Sequence, residues 1–300
     1  MATTDLARHA ELPGSSYPVR VPVALVTGGS AGIGAAFADQ LAAEGHDLVL
    51  VARGSERLAA VAADLTARHG VEVDVLPADL RDADGRAAVE RRLTGLPPVD
   101  LLVCNAGVQV RGEFLDAALP DLQTEVDVNV SGVLRQVNVA LTGMVERGRG
   151  AVVIVSSFAG LLPARGSAYG ATRAYTIALA DTLAPTLDGT GVRLTVLCPG
   201  FVRTQSVPGI PAAAAFRQGF LLLTPERVAR RALADLRAGR TVSVPGLMYR
   251  SVWTWLDLPR RVLRLGARLA GKDRGRRTAA PPPIPAPRSA PDAAERRVTS

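Results

Sequence analysis

Residues 21–45 read VPVALVTGGSAGIGAAFADQLAAEG. The run VPVALV (21–26) has the length and apolar content of a buried strand. Thr27-Gly28-Gly29-Ser30-Ala31-Gly32-Ile33-Gly34 is a glycine-rich turn, and the stretch after it carries apolar residues at helical spacing. Glycines in a strand-to-helix turn let the backbone approach a pyrophosphate. The helix N-terminus adds unpaired N–H groups and a partial positive charge. A glycine loop alone reads equally well as a structural turn. Its place between a first strand and a helix favours a cofactor-binding reading, with Gly28, Ser30, Ala31, Gly32, Ile33 and Gly34 as candidate contacts.

Six more strand-length runs follow: DLVLVA (47–52), VEVDVL (71–76), VDLLVC (99–104), AVVIVS (151–156), VRLTVLC (192–198) and TVSV (241–244). Helical patterns separate them, for example Leu58, Val61, Ala62 and Leu65. Continuous Val/Leu/Ile strands bounded by helices indicate a parallel sheet buried on both faces. Seven such units predict an α/β fold with a doubly wound seven-stranded sheet and right-handed crossovers. The domain is expected over 21–245. Before it lies a polar arm (1–20), and after it a basic amphipathic helix (246–272). The Pro-, Ala- and Arg-rich stretch 273–300 cannot bury a core and is expected to be disordered.

Of the 300 residues, 48% are hydrophobic and 21% charged, a globular balance. Cys104 and Cys198, the only two cysteines, sit in apolar runs, which excludes a disulfide framework and fits a reducing, cytoplasmic setting. His9, His46 and His69 have no ligand spacing, so no metal site is expected. The N-terminus lacks the pattern of a signal peptide. The net charge of +7 is uneven. From Arg240 onward there are 13 basic and 4 acidic residues, so the preceding body is nearly neutral.

The glycine spacing is T-G-x-x-x-G-x-G. Asn105-Ala106-Gly107 follows the fourth strand, and Asn129 stands in DVNVSG. Ser156-Ser157-Phe158-Ala159-Gly160 ends the fifth strand, with Tyr169 twelve residues after Ser157. Pro199-Gly200-Phe201-Val202-Arg203-Thr204 ends the sixth. Over about residues 21–245 the chain resembles the short-chain dehydrogenase/reductase family in motif and order. The resemblance implies a Rossmann fold and hydride transfer between a nicotinamide cofactor and a carbonyl or alcohol. It implies cofactor contacts at Asn105, Ala106, Gly107, Pro199, Gly200, Val202 and Thr204, and at Asp79 and Leu80 near the adenine. Asp79 reads equally as the cap of the following helix.

Cofactor choice can be argued from charge. An acidic residue after the second strand bonds a ribose 2′-OH, whereas an arginine accommodates a 2′-phosphate. Here Arg53 follows that strand and no carboxylate appears until Glu56, which favours NADP(H) over NAD(H). The resemblance implies Tyr169 as the general acid/base, Ser157 as the group that hydrogen-bonds the same carbonyl oxygen, and Asn129 as the holder of a water relay. Ser156 is expected to bond backbone instead.

The chain departs from the family at one position. The family pattern is Tyr-x-x-x-Lys, and this sequence reads Tyr169-Gly170-Ala171-Thr172-Arg173. Four residues apart on a helix is one face, so Arg173 still reaches the site, and it also counts as a cofactor contact with Tyr169. It keeps the charge but not the compact ammonium that grips ribose hydroxyls. Ketone reduction needs the neutral phenol, while alcohol oxidation needs the phenolate and depends more on the cation. The expectation is an enzyme biased towards reduction. The alternative is a cofactor-binding protein of the same fold with weak or no turnover.

The segment QSVPGIPAAAAFRQGFLLL (205–223) falls where the family carries its substrate loop. It is apolar, which fits an apolar ketone or alcohol, or a lid that packs on itself. The resemblance also implies a homodimer or homotetramer. Residues 250–270 mix Trp253, Trp255 and leucines with Arg250, Arg260, Arg261, Arg264 and Arg268. They read as a helix at a membrane surface, or as one packed on the body or another subunit. No recognition motif accompanies the charge, so nucleic acid is not an expected partner.

Overall fold

The structure, a computed structural model, describes residues 20–110, 112–162, 166–203 and 222–256. Seven strands form one parallel sheet: β1 (Val23–Thr27), β2 (Asp47–Ala52), β3 (Val73–Pro77), β4 (Leu101–Cys104), β5 (Gly150–Val155), β6 (Val192–Leu197) and β7 (Val242–Ser243). Their order is β3-β2-β1-β4-β5-β6-β7. This is the doubly wound arrangement expected, and it reverses direction at β1. The reversal opens a crevice at the carboxyl ends of β1 and β4, where open α/β sheets place ligands.

Burial explains why the strands are apolar throughout. Every residue of β1 and β4 is buried, because helices cover both faces. The edges differ. β3 is largely exposed and ends in Pro77, and β7 has only two residues. Helices α1 (Gly32–Ala43), α2 (Ser55–His69), α3 (Ala83–Thr94), α4 (Leu119–Val126), α5 (Val133–Glu146) and α6 (Tyr169–Leu187) connect the strands. They are followed by α7 (Pro225–Arg237) and α8 (Leu247–Leu256). In α2, Leu58, Ala62 and Leu65 are buried, one stripe at helical spacing.

Two boundaries differ from the reading of the sequence. The first helix begins at Gly32, so Gly32, Ile33 and Gly34 are its opening turn rather than part of the loop. Arg20, the last residue of the expected arm, is tied to the body. It donates to Pro98 O at 3.1 Å and forms an ion pair with Asp100. The rest of that arm, the tail 273–300 and almost all of the expected substrate loop lie outside the described residues. So does the expected amphipathic helix beyond 256. Among the described residues no helix is long and apolar enough to cross a membrane.

Candidate active site

The site starts at the turn after β1. Gly28 is in the left-handed region (φ 68°). A Cβ on Gly34 would stand 2.2 Å from Gly28 O, so only glycine lets α1 close onto this turn. Ala31 precedes α1 with extended backbone and no side-chain cap, which leaves the first-turn N–H groups to an anion. Thr27 Oγ1 accepts from Asn105 N at 3.1 Å and Ala106 N at 3.2 Å. Asn105 Nδ2 donates to Thr27 O and Gly28 O. These bonds fix the loop after β4 against the glycine turn.

A cleft of about 660 Å³ opens beside this turn. It brings together seven of the candidate residues: Gly28, Ser30, Arg53, Asp79, Leu80, Ala106 and Gly107. Asp79 is not a helix cap. Its Oδ1 accepts from Arg81 N at 3.0 Å, and its Oδ2 takes Arg81 Nε and Nη2 at 2.9 and 2.6 Å. The residue in the capping position of α3 is Asp82, without a side-chain cap bond. Hydrogen bonds from Arg81 hold the Asp79 carboxyl below the usual carboxylate range, and Arg53 adds a smaller pull. Arg57 and Arg81 also line the cleft, and the sequence reading missed both. Arg57 stands four residues after Arg53, a spacing that could have signalled it. Gly32, Ile33, Gly34, Pro199, Gly200 and Val202 do not line the cleft. Gly200 lies against the Tyr249 ring, and Val202 bridges to Leu223. Thr204 lies outside the described residues.

The second cluster forms where β5 meets α6. Ser157 has extended backbone, and its Oγ accepts from Ala159 N at 3.2 Å, capping a short 3-10 turn (Phe158–Gly160). Ser156 is buried and spent on structure: its Oγ donates to Arg173 O at 3.0 Å and accepts from Thr176 Oγ1. Tyr169 is the first residue of α6 and is half-buried. Arg173 is 5% exposed, and its Cζ lies 4.8 Å from the Tyr169 ring centroid. Nη1 donates to Val155 O at 3.1 Å and Nη2 to Asn129 Oδ1 at 3.4 Å. Nε has no hydrogen-bond partner among the described residues. Gly107 makes the seat, since a Cβ there would stand 2.2 Å from Arg173 Nη2.

Asn129 is fully buried in a π-helical turn (Asp127–Gly132) between α4 and α5. Its Oδ1 accepts from Val108 N at 2.9 Å, and its Nδ2 donates to Val108 O at 2.8 Å and Thr172 Oγ1 at 3.1 Å. Asn129 therefore joins the cleft loop, the π turn and α6. Glu125, which the sequence reading also missed, is fully buried nearby. Its Oε1 accepts from Val110 N at 2.6 Å and Ser167 Oγ at 2.8 Å, and Ser167 Oγ accepts from Tyr169 N at 3.3 Å. Glu125 Oε2 has no hydrogen-bond partner among the described residues. Among the described residues no group of His, Cys, Asp and Glu is placed to hold a metal ion.

Residues 22–214 match the short chain dehydrogenase family. The NADP-dependent 3-hydroxy acid dehydrogenase YdfG of Salmonella typhi is 37% identical over 186 residues, 60% of this chain and 72% of that protein. Among solved structures, the bulky-bulky ketone specific alcohol dehydrogenase of Comamonas testosteroni superposes with a TM-score of 0.72 at 29% identity. That match covers 82% of this chain and 94% of the other. A short-chain dehydrogenase of Sphingobium yanoikuyae in complex with NADPH gives 0.72 at 31% identity, over 81% and 95% of the two chains.

Proposed function

The chain belongs to the short-chain dehydrogenase family, and from that premise we propose an NADP(H)-dependent oxidoreductase that reduces a ketone, or oxidises the matching secondary alcohol, on an apolar substrate. The observation that carries this reading is the buried Arg173 guanidinium, 4.8 Å from the Tyr169 ring centroid. A buried charge that pairs with no carboxylate among the described residues is costly to keep, and here it lies against the ring of the phenol on which this reading places the developing negative charge.

The cleft suits a dinucleotide carrying a 2′-phosphate. Its volume of about 660 Å³ fits a ligand pocket. The uncapped start of α1 and the glycine turn would hold the pyrophosphate, with Arg53 and Arg57 near the 2′-phosphate. Two relatives support the preference for NADP(H), one named as NADP-dependent and one solved with NADPH. Bound NADPH supplies a hydride for the carbonyl carbon. Tyr169 Oη gives its proton to the carbonyl oxygen, and Ser157 Oγ hydrogen-bonds that same oxygen. Arg173 stabilises the phenolate that remains. Asn129 keeps the guanidinium and the cleft loop in register.

Cys104 and Cys198 are both buried thiols, which supports a cytoplasmic setting. The test is steady-state reduction of a ketone panel by NADPH, with Tyr169→Phe beside the parent. The variant keeps the ring and loses the proton. Reduction should fall by roughly two to four powers of ten, with NADPH affinity nearly unchanged. A variant as fast as the parent, or a parent that binds NADPH and turns over nothing, would replace this reading with a binding protein of the same fold.

A further inference from the structure

Tyr249 lies in none of the motifs that carry the resemblance, yet it touches two of them. Gly246, in the left-handed region (φ 89°), turns the chain after β7 into α8, and Tyr249 enters the core from the first turn of that helix. Its ring is buried and packs edge-on against Phe158 with centroids 5.3 Å apart. Its hydroxyl accepts the Phe201 N–H at 3.1 Å. A Cβ on Gly200 would stand 2.0 Å from Tyr249 Cζ, so the loop after β6 fits against the ring only because residue 200 is glycine. One side chain of α8 therefore meets the residue after Ser157 and the two residues after Pro199. A packing role asks only for a ring there. The bond from the Phe201 amide to the hydroxyl goes beyond it.

The two loops are also bonded to each other. Phe158 N donates to Pro199 O at 2.9 Å, one residue from Ser157. Leu223 N donates to Phe201 O at 2.9 Å, so Phe201 is pinned at its amide by Tyr249 and at its carbonyl by Leu223. The far end of the 3-10 turn meets α6, where a Cβ on Gly160 would stand 2.7 Å from the Arg173 carbonyl carbon. The turn that Ser157 caps is thus held at one end by Tyr249 and at the other by the Arg173 backbone. A hydroxyl that acts on a reacting oxygen must sit within about 0.5 Å of its productive place, and a misplacement of about 1 Å can cost about a hundredfold in rate. We propose that Tyr249 is a positioning residue: from α8 it clasps the Ser157 turn and the loop after β6 together, and so sets where the Ser157 hydroxyl stands. The clasp rests on these contacts alone. Its effect on turnover rests on the proposed function.

Two readouts on the full chain test this, and the first needs no turnover. Amide hydrogen exchange should be faster in Tyr249→Leu than in the parent over 156–161 and 199–203, and unchanged over the glycine turn 27–34. Tyr249→Phe keeps the ring and should speed exchange over 199–203 more than over 156–161. The second readout is steady-state reduction of a ketone by NADPH. Tyr249→Leu should lower kcat at least about tenfold while KM for the ketone moves less than about threefold, and Tyr249→Phe should lower kcat only about threefold. NADPH affinity, by calorimetry, should stay unchanged, because none of the clasped residues lines the cleft. In a Ser157→Ala background, Tyr249→Leu should cost less than about twofold more, since the hydroxyl it places is gone. Should Tyr249→Leu not fold, Tyr249→Phe carries both readouts. Unchanged exchange over both segments overturns the clasp. Faster exchange with kcat unchanged, or with the same loss of kcat in the Ser157→Ala background, overturns the placing of Ser157. So does a loss of NADPH affinity as large as the loss of kcat, because the damage then spreads beyond the two loops. A parent that turns over no ketone removes the proposed function instead, and the exchange data still decide the clasp.

Discussion

Arg173, four residues after Tyr169, is the side chain on which the proposed function leans most. Its guanidinium is buried, and among the described residues it pairs with no carboxylate. Val155 O, Asn129 and the Tyr169 ring surround it. The space for the planar head comes from Gly107, so the two positions should be coupled. Gly107→Ala should displace the guanidinium and lower kcat/KM for reduction, in the same direction as Arg173→Ala. In an Arg173→Lys background no Nη2 fills that space, and Gly107→Ala should then cost less by about 1 kcal/mol or more, the usual size of coupling between touching residues. Arg173→Lys alone should raise alcohol oxidation more than ketone reduction. Kinetics in both directions across the four-protein cycle measure this. Equal costs of Gly107→Ala in the two backgrounds would break the link. Arg53 carries the second prediction at this scale. It forms no salt bridge among the described residues, whereas Arg81 is held by Asp79. Arg53→Ala should weaken NADPH binding about tenfold, or about 1.4 kcal/mol, and leave NADH nearly unchanged. Calorimetric titration of both cofactors decides it, and equal losses would remove the 2′-phosphate argument.

At the scale of elements, Glu125 on α4 links two segments distant in sequence, the loop at Val110 and the entry to α6 at Ser167. Its hydrogen bonds at Val110 and Ser167 reach neither the Tyr169 side chain nor a residue lining the cleft, which is the pattern expected of a positioning residue for the start of α6. Glu125→Ala should lower kcat with little change in NADPH affinity and should cost about 1–3 kcal/mol of stability, the penalty for orphaning buried donors. Glu125→Gln keeps a carbonyl acceptor for both donors and should restore most of kcat. If kcat and cofactor affinity fall together, or if glutamine fails to rescue, Glu125 is only part of the scaffold. The same contacts show why some features were legible in the sequence and others were not. The strands were legible because burial on both faces demands unbroken apolar runs, and β2 begins and ends where its run does. The central strands β1, β4 and β6 and the edge strands β3 and β7 alike are one or two residues shorter than their runs, because an apolar run does not mark where pairing with the neighbouring strand stops. The π turn left no local signal. DVNVSG fits an ordinary helix, and the bonds of Asn129 to Val108 and Thr172 come from residues 21 and 43 positions away. Glu125 was hidden for the same reason. Tyr169, Ser157, Arg173 and Asn129 could be nominated because their motif spacing survives in one dimension. Asp79 reads in sequence equally as an adenine contact and as a helix cap, and nothing there marks its bond to Arg81.

Over the whole sequence the positive charge is concentrated from Arg240 onward, and this bears on assembly. The body before Arg240 is nearly neutral, with 22 basic and 24 acidic residues, so two bodies can approach without strong repulsion. On that body, α5 and α6 together line an apolar groove of about 380 Å³, which includes Leu134, Val137, Leu141, Val145, Leu179 and Leu183. Leu134 and Val145 are exposed. Contiguous apolar surface of this kind marks an interaction site more often than a bare face. If a second copy occupies it, a two-fold axis over the groove would pack α5 and α6 of each copy against those of the other. Leu134→Arg with Val145→Arg places two charges where the present side chains already face outward, so the fold should persist. In a closed interface each arginine would be buried without a partner, at several kcal/mol apiece. The parent should therefore sediment as a dimer or tetramer, and the double variant at the single-chain mass of 31.3 kDa with an unchanged circular dichroism spectrum. If the parent sediments as a single chain at micromolar concentration, or the double variant keeps the parent's mass, the α5–α6 groove is not where copies meet.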